Sequence, residues 1–302
     1  MRQRTLNNRY SFEGKGLHTG SYAHMTLCPA QENTGIRFHR TDLGENVFVD
    51  ALAENVSNTE RSTTISNGEA SVVTIEHLMS ALTGLGIDNA LIEIDNIEVP
   101  ILDGSALPYI ETIGPDGIVE QNAERIYVEL DHEIEIKDEN SGSCIRITPA
   151  ETPSYDVTAD FNSHVLGVQK VHWDLGIDYR KEIAPCRTFV FFHEIEFLAS
   201  KGLVKGGDVE NAIVIVEHPT TQEQIDRISE LFNQPKLTVT DDGYLSNLVL
   251  RFQDECGRHK LLDLIGDLRL AGGYLKARVT AYKPGHTINT NTAKAIREAL
   301  KK

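Results

Sequence analysis

Gln253-Asp254-Glu255-Cys256-Gly257-Arg258-His259-Lys260-Leu261-Leu262-Asp263-Leu264-Ile265-Gly266-Asp267-Leu268-Arg269-Leu270 is the stretch on which the fold turns. Leu261, Leu262, Ile265 and Leu268 recur at helical spacing as one apolar face, and Gly272-Gly273 end the run, which predicts a helix over roughly 253–270. His259 and Asp263 lie four residues apart on it and point the same way, a spacing that lets both grip one metal ion. An earlier segment is built alike. Thr74-Ile75-Glu76-His77-Leu78 opens a second expected helix, with Thr74 as its N-cap, Ile75, Leu78, Met79 and Leu82 on its apolar face, and Gly84 and Gly86 as its stop.

Short alternating runs flank the first helix, at 23–27 and 89–94, and precede the second, at 125–130 and 144–147, and read as half-buried strands. Pro115-Asp116-Gly117 marks a turn between the two series. A chain of 302 residues is about twice a modal domain. The expectation is therefore an α+β protein with an internal duplication: domains 1–122 and 123–302, a metal-type histidine near the start of a glycine-closed helix in each, and the metal between them. The segment 217–247 reads as an insertion. It has helical spacing at Ile225, Ile228, Leu231 and Phe232, then Pro235 and an Asp241-Asp242-Gly243 turn.

Composition narrows the function classes. A net charge of -16 and a pI near 5.1 leave no basic field for non-specific nucleic-acid binding, although a few local cations can still hold an anionic small molecule. Cys28, Cys144, Cys186 and Cys256 form no CxxC pair, so neither a zinc knuckle nor a disulfide scaffold is indicated, and a reducing compartment fits. The first residues are polar, and nowhere do about 18 apolar residues follow one another, so neither an export signal nor a membrane span is expected. The expected location is the cytoplasm.

Zinc hydrolases commonly use three protein ligands and leave the fourth position to water. His77, His259 and Asp263 make such a set. Glu76, beside a ligand histidine, can take a proton from that water without binding the metal itself. Asp267 lies one helical turn beyond Asp263, where it can orient a cationic histidine, and His286 follows a rigid Lys283-Pro284-Gly285 turn and reads as a loop histidine. Lys260 could meet a phosphate or carbonyl oxygen. Spacing alone also allows ordinary readings: surface histidines, a solvated helix carboxylate, a first-turn glutamate complementing the helix dipole. Ser105 lacks the Gly-x-Ser-x-Gly elbow, which disfavours a serine nucleophile.

Taken together, the blocks resemble one family, the zinc-dependent UDP-3-O-acyl-N-acetylglucosamine deacetylases of lipid A synthesis. They are Gly14-Lys15-Gly16-Leu17-His18-Thr19-Gly20, the Thr74 to Leu78 block, Gly84-Leu85-Gly86-Ile87-Asp88-Asn89, Val99-Pro100-Ile101-Leu102-Asp103-Gly104-Ser105-Ala106, Arg187-Thr188-Phe189, Gly206-Gly207, Asn211-Ala212-Ile213-Val214, the His259 to Asp267 helix, and Ala281-Tyr282-Lys283-Pro284-Gly285-His286. The resemblance implies two similar layered domains, helices sandwiched between two sheets, and an active site at the domain interface. It implies one zinc ion on His77, His259 and Asp263, with Glu76 as general base and Thr188 helping to hold the oxyanion. It further implies that His286, kept cationic by Asp267, is the acid, that Lys260 positions substrate, and that Phe189 lies against the sugar. Phe191, Ile195, Val204, Ala212 and Val214 would line a passage for the acyl chain of a UDP-linked acylated glucosamine.

Lys205 stands where many members carry an aliphatic residue, which would make the passage mouth more polar, and the 217–247 segment is longer than in compact members. Some relatives are fused to a hydroxyacyl dehydratase domain, so a longer chain of that kind is compatible with the resemblance. A monomer is expected. The rival expectations are a zinc amidase for a different acylated sugar and a non-catalytic, zinc-stabilised binding protein.

Overall fold

The computed structural model describes residues 1–200, 211–231, 234 and 236–301. In the first half the strands Tyr10–Lys15, Tyr22–Pro29, Ile36–Arg40, Phe48–Asp50 and Ala90–Ile94 form one sheet in the order 1-2-5-3-4. In the second half Ile134–Asp138, Ser143–Pro149, Ser154–Asp160, Val168–Asp174 and Tyr274–Tyr282 form another in the same order, to which Tyr127–Glu129 adds a parallel strand. Pairing repeats as well. Strands three and five run parallel, and every other neighbouring pair is antiparallel. Even the core positions correspond: Ile92 of the first central strand sits between Leu27 and Phe38, and Val279 of the second sits between Ile147 and Tyr155, all buried.

The helices follow the same plan. In the first half α1 (Glu76–Leu85) precedes the fifth strand and α2 (Leu107–Ile113) follows it. The second half adds α3 (Tyr179–Glu182), α4 (Phe192–Ser200) and α5 (Gln222–Leu231) before α6 (Glu255–Leu268), which precedes the fifth strand, and α7 (His286–Ala299), which follows it. The repeat is thus four strands, a helix, a strand and a helix, and the α+β, two-unit architecture is as expected. The apolar faces of α1 and α6 meet inside one core that spans both halves, with Leu261, Leu262, Leu264 and Ile265 at most 1% exposed. Truncating any of these leucines to alanine would cost about 2–5 kcal/mol.

Gly266 decides how close the two helices come. A methyl group there would lie 2.1 Å from the Glu76 carbonyl oxygen and 3.1 Å from the Ser80 nitrogen, so only glycine admits this backbone approach. A second tie uses Asp88, whose carboxylate receives the Arg125 guanidinium at 2.8 Å. Arg125 and Arg269 in turn lie over the Tyr274 ring at 4.1 and 4.6 Å, and the Tyr274 hydroxyl donates to the Ile87 carbonyl. The Gly84 to Asn89 block therefore clasps the second half.

Several expectations shift in detail. Thr74 is not an N-cap: Ile75 holds that position, and Thr74 adopts a left-handed φ of 60°, its hydroxyl donating to Glu98 Oε1 at 2.7 Å. That conformation is strained for a β-branched residue, and the buried acceptor holds it. The strand Ile118–Glu124 pairs with Arg2–Leu6 and runs through residue 122. Between the fourth strand and the helix, the first half carries a small sheet of Val56–Asn58, Thr64–Ser66 and Ser71–Val72, whereas the second carries α3, the parallel pair Phe189–Phe191 and Ile213–Ile215, α4 and α5. The 217–247 segment belongs to this larger interruption, and α5 buries Ile225 and Ile228 as its spacing predicts. Phe232 and Pro235 lie outside the described residues. No helix among the described residues is long and apolar enough to cross a membrane.

Candidate active site

The starts of α1 and α7, one face of α6 and the segment from Thr188 to Phe191 bring the candidate residues to one cavity of about 390 Å³, lined by Glu76 and His77 from α1, Thr188, Phe189 and Phe191 from the interruption, His259, Lys260 and Asp263 from α6, and His286. Ligand atoms of His77, His259 and Asp263 all lie within 4.8 Å of one another, and this is the one such three-residue group found among the described residues. Asp263 Oδ1 is 3.3 Å from His259 Nε2 and 3.6 Å from His77 Nε2. It is buried without a hydrogen-bond partner, while Oδ2 takes the Lys260 ammonium at 2.9 Å. A buried carboxylate oxygen left open between two imidazole nitrogens is costly unless a cation satisfies it. The donor set of two imidazoles and one carboxylate fits a borderline divalent metal with an open fourth position.

Electrostatics prepares two of the three groups, His259 and Asp263. Burial pushes His259 down to about 3, against the opposing pull of Asp263, so its imidazole is neutral and its approach to Asp263 is not an ion pair. Its Nδ1–H donates to the Cys186 carbonyl at 3.1 Å, which fixes the tautomer and presents Nε2. Burial also opposes the Asp263 charge, but the cations around it, Lys260 and His286 among them, outweigh it and hold the carboxyl well below its usual range. A neutral imidazole at His259 and a charged carboxylate at Asp263 are protonation states a metal requires.

Glu76 is the first residue of α1 and is buried, and burial raises its pKa despite the opposing effect of His286 and His77. Its Oε2 accepts the Thr63 N–H at 3.0 Å. A carboxylate in this state is a stronger base than one in water. His286 is the first residue of α7 rather than a loop histidine; Gly285 is its extended N-cap, and Lys283 makes the turn at a left-handed φ of 51°. A cation at a helix N-terminus is unfavourable on its own. Burial disfavours the charge too, yet the Asp267 carboxylate, bonded to His286 Nδ1 at 3.1 Å, together with Glu76 and Asp263, pushes its pKa up to about 9. Asp267 thus engages Nδ1 of the cationic ring.

Thr188 is held from three sides. Its N–H donates to the Gly104 carbonyl, its own carbonyl accepts from Ile213, and the preceding Arg187 is buried in a two-pronged pair with Glu255 at the start of α6. Gly104, at φ 81°, lets Asn211 approach so closely that a methyl group would sit 1.8 Å from its carbonyl oxygen. The Asp103-Gly104-Ser105 and Asn211-Ala212 blocks thus meet to seat Thr188. Phe189 packs edge-on to His259 at 6.1 Å and under the Lys260 ammonium at 5.4 Å. Of the expected acyl contacts, Phe191 lines the cavity. Ile195 and Val214 are buried with Phe192, Val216 and Ile225 in the interruption's own apolar cluster, and Ala212 is buried beside them in sequence. Val204 and Lys205 lie outside the described residues.

Sequence reasoning missed Thr63, which meets both Glu76 and Asp267, and Glu98, whose buried carboxylate gathers the N–H groups of His18 and Thr19 and the hydroxyls of Thr19 and Thr74. Arg61 was missed as well; it stands at the cavity at φ 67° and pairs with Glu194 at 3.2 Å. None sits in a patterned spacing. The threonine-rich stretch Ser62-Thr63-Thr64 beside an arginine was the faint signal for two of them.

Comparison with known proteins agrees with the geometry. A bifunctional LpxC/FabZ enzyme of Porphyromonas gingivalis is 43% identical over 99% of this chain, and one of Bacteroides thetaiotaomicron is 42% identical over all of it; the chain spans 65% of the length of each. A UDP-3-O-acyl-N-acetylglucosamine deacetylase of Teredinibacter turnerae is 41% identical over 100% of the chain and 91% of its own length. With the family model matched over residues 3–237 and 232–298, the chain belongs to the UDP-3-O-acyl N-acetylglycosamine deacetylase (LpxC) family.

Proposed function

We propose that this chain removes the N-acetyl group of UDP-3-O-(3-hydroxyacyl)-N-acetylglucosamine, giving acetate and the 2-amino sugar, an early step of lipid A synthesis. The observation that carries the reading is the open, buried Asp263 Oδ1 between His77 and His259, with Glu76 and His286 on the same cavity. His77, His259 and Asp263 would hold zinc, and a zinc ion supplies Lewis acidity that polarises the amide carbonyl and eases deprotonation of water.

The protein's own groups do the rest. Glu76 accepts a proton from the attacking water. The Thr188 hydroxyl donates to the oxyanion that develops on the carbonyl. His286, held by Asp267, offsets that charge and gives its proton to the leaving nitrogen, without which an amine anion would have to depart. Lys260, tethered by Asp263 above Phe189, orients the sugar, and the acyl chain runs from Phe191 toward Ile195, Ala212 and Val214.

The reading includes two units, 1–122 and 123–302, in keeping with the repeated strand order, and a cytoplasmic monomer that binds a UDP-linked sugar and no nucleic acid. Acetate release by metal-stripped protein, with and without one equivalent of zinc, tests it. Turnover restored by zinc supports reaction and cofactor together. Bound zinc with no turnover would favour another acylated sugar or a binding role.

A further inference from the structure

We propose that Thr63 is a positioning residue that holds the proton acceptor Glu76 and the carboxylate Asp267 in one rigid frame. The proposal rests on the deacetylase reading above for what the two groups do, and on geometry for how they are held. Thr63 is fully buried. Its N–H donates to Glu76 Oε2 at 3.0 Å, and its hydroxyl donates to Asp267 Oδ1 at 2.6 Å, a short charge-assisted bond. Its carbonyl accepts from Ile75, the residue before Glu76, at 3.3 Å. One residue thus touches the start of α1 twice and α6 once, 204 positions away in the chain.

The Asp267 carboxylate shows why the hydroxyl matters. Oδ2 serves two donors, His286 Nδ1 at 3.1 Å and Asn289 Nδ2 at 2.9 Å, whereas Oδ1 has Thr63. Without a donor on Oδ1, the carboxylate is free to rotate and offer either oxygen to the imidazole, which would turn with it. Thr63 Oγ1 also lies 3.4 Å from His286 Nδ1, so a rotated imidazole would meet it directly. The frame itself is stiff: Thr63 leads into Thr64–Ser66, the middle strand of its small sheet. The other titratable groups that face His286 are Asp263 from α6, Glu76 from α1 and His18 from the Gly16–Gly20 loop, and none of them bonds to Asp267 Oδ1.

Thr63→Val keeps the shape and the N–H to Glu76 and deletes only the hydroxyl, while Thr63→Ser restores it. On the zinc-loaded full chain, Thr63→Val should lower kcat about tenfold with KM within about twofold, because a slightly misplaced acid costs rate rather than binding. Thr63→Ser should recover to within about twofold of the wild type. In an Asp267→Asn background, Thr63→Val should add less than about twofold, since the hydroxyl acts through that carboxylate. Independently of turnover, the downfield His286 Nδ1–H proton resonance should move or broaden in Thr63→Val and not in Thr63→Ser, and Thr63→Ala should reproduce the valine result. An unchanged resonance in Thr63→Val, or a full tenfold loss persisting in the Asp267→Asn background, overturns the proposal. A wild type that releases no acetate while the resonance still responds to Thr63→Val would overturn the deacetylase reading and leave the positioning role standing.

Discussion

The two halves of the molecule share a strand order, a pairing pattern and the place of each helix, yet they contribute unequally to the site. From the first half come Glu76 and His77, adjacent at the start of α1; from the second come His259, Asp263 and Asp267 along α6, and His286 at the start of α7. The first helix offers its opening turn, whereas the second offers a whole face. A duplicated frame places two helices back to back, and in the proposed reading one carries the base while the other carries most of the metal ligands and the acid's counterion. Neither half holds all three candidate ligands, so the candidate site exists only where they meet.

His259→Ala breaks the second half's share and should have the largest effect, losing both stoichiometric metal and activity; elemental analysis after dialysis, beside an acetate assay, checks this. Glu76→Gln breaks the first half's share differently. Metal should remain while kcat falls about 10²–10⁴-fold, the range for removing a general base. Equal metal loss in the two variants would show Glu76 to be a ligand.

Gly266→Ala attacks the contact itself. An added methyl meets the Glu76 backbone, which cannot move aside, so urea unfolding should show a loss of about 1–3 kcal/mol together with weakened activity. Gly257→Ala on the same helix is the comparison. There the methyl meets Gln169 Cβ and Oε1 at 2.8 Å, a milder overlap than 2.1 Å against a helix backbone, and the loss should be smaller. Equal losses would mean that the approach of α1 to Gly266 is no tighter a constraint than the packing at Gly257, since alanine is itself the better helix former at both.

The smallest expected effect is in pH dependence. His286 has a folded pKa raised to about 9, above its ordinary 6.5, so the stability from its pairing with Asp267 is fully present below about pH 6.5 and is lost as pH rises through about 9. In metal-free protein, thermal melts of Asp267→Asn and wild type should differ most at the acid end of that window and converge toward its alkaline end. A gap that widens with pH would contradict a cationic His286.

Patterns local in sequence were legible: the apolar stripes of α1 and α6, and the His259 to Asp267 series on one helical face. Distance along the chain hid the rest. Thr63 and Asp267 are 204 residues apart, and no periodicity links a strand-leading threonine to a helix carboxylate. Thr74 looked like a cap because threonine before an apolar helix is usually one; burial of Glu98 drew its hydroxyl elsewhere. His286 read as a loop residue because the Pro-Gly turn before it was visible, while the helix after it, with Ile288, Ala293 and Ile296 buried, has a sparser stripe.

The 1-2-5-3-4 order has a consequence for how the chain emerges from the ribosome. In each sheet the last strand made is the central one, so two hairpins must wait with bare edges for it. The first sheet waits only from Asp50 to Ala90, but the second waits from Asp174 to Tyr274, through the whole interruption and α6. During that interval of synthesis, the exposed edges of Ser143–Pro149 and Ser154–Asp160 are open to pairing with another chain. The long interruption that shapes the cavity thus leaves the second half the more vulnerable of the two while the protein is being born.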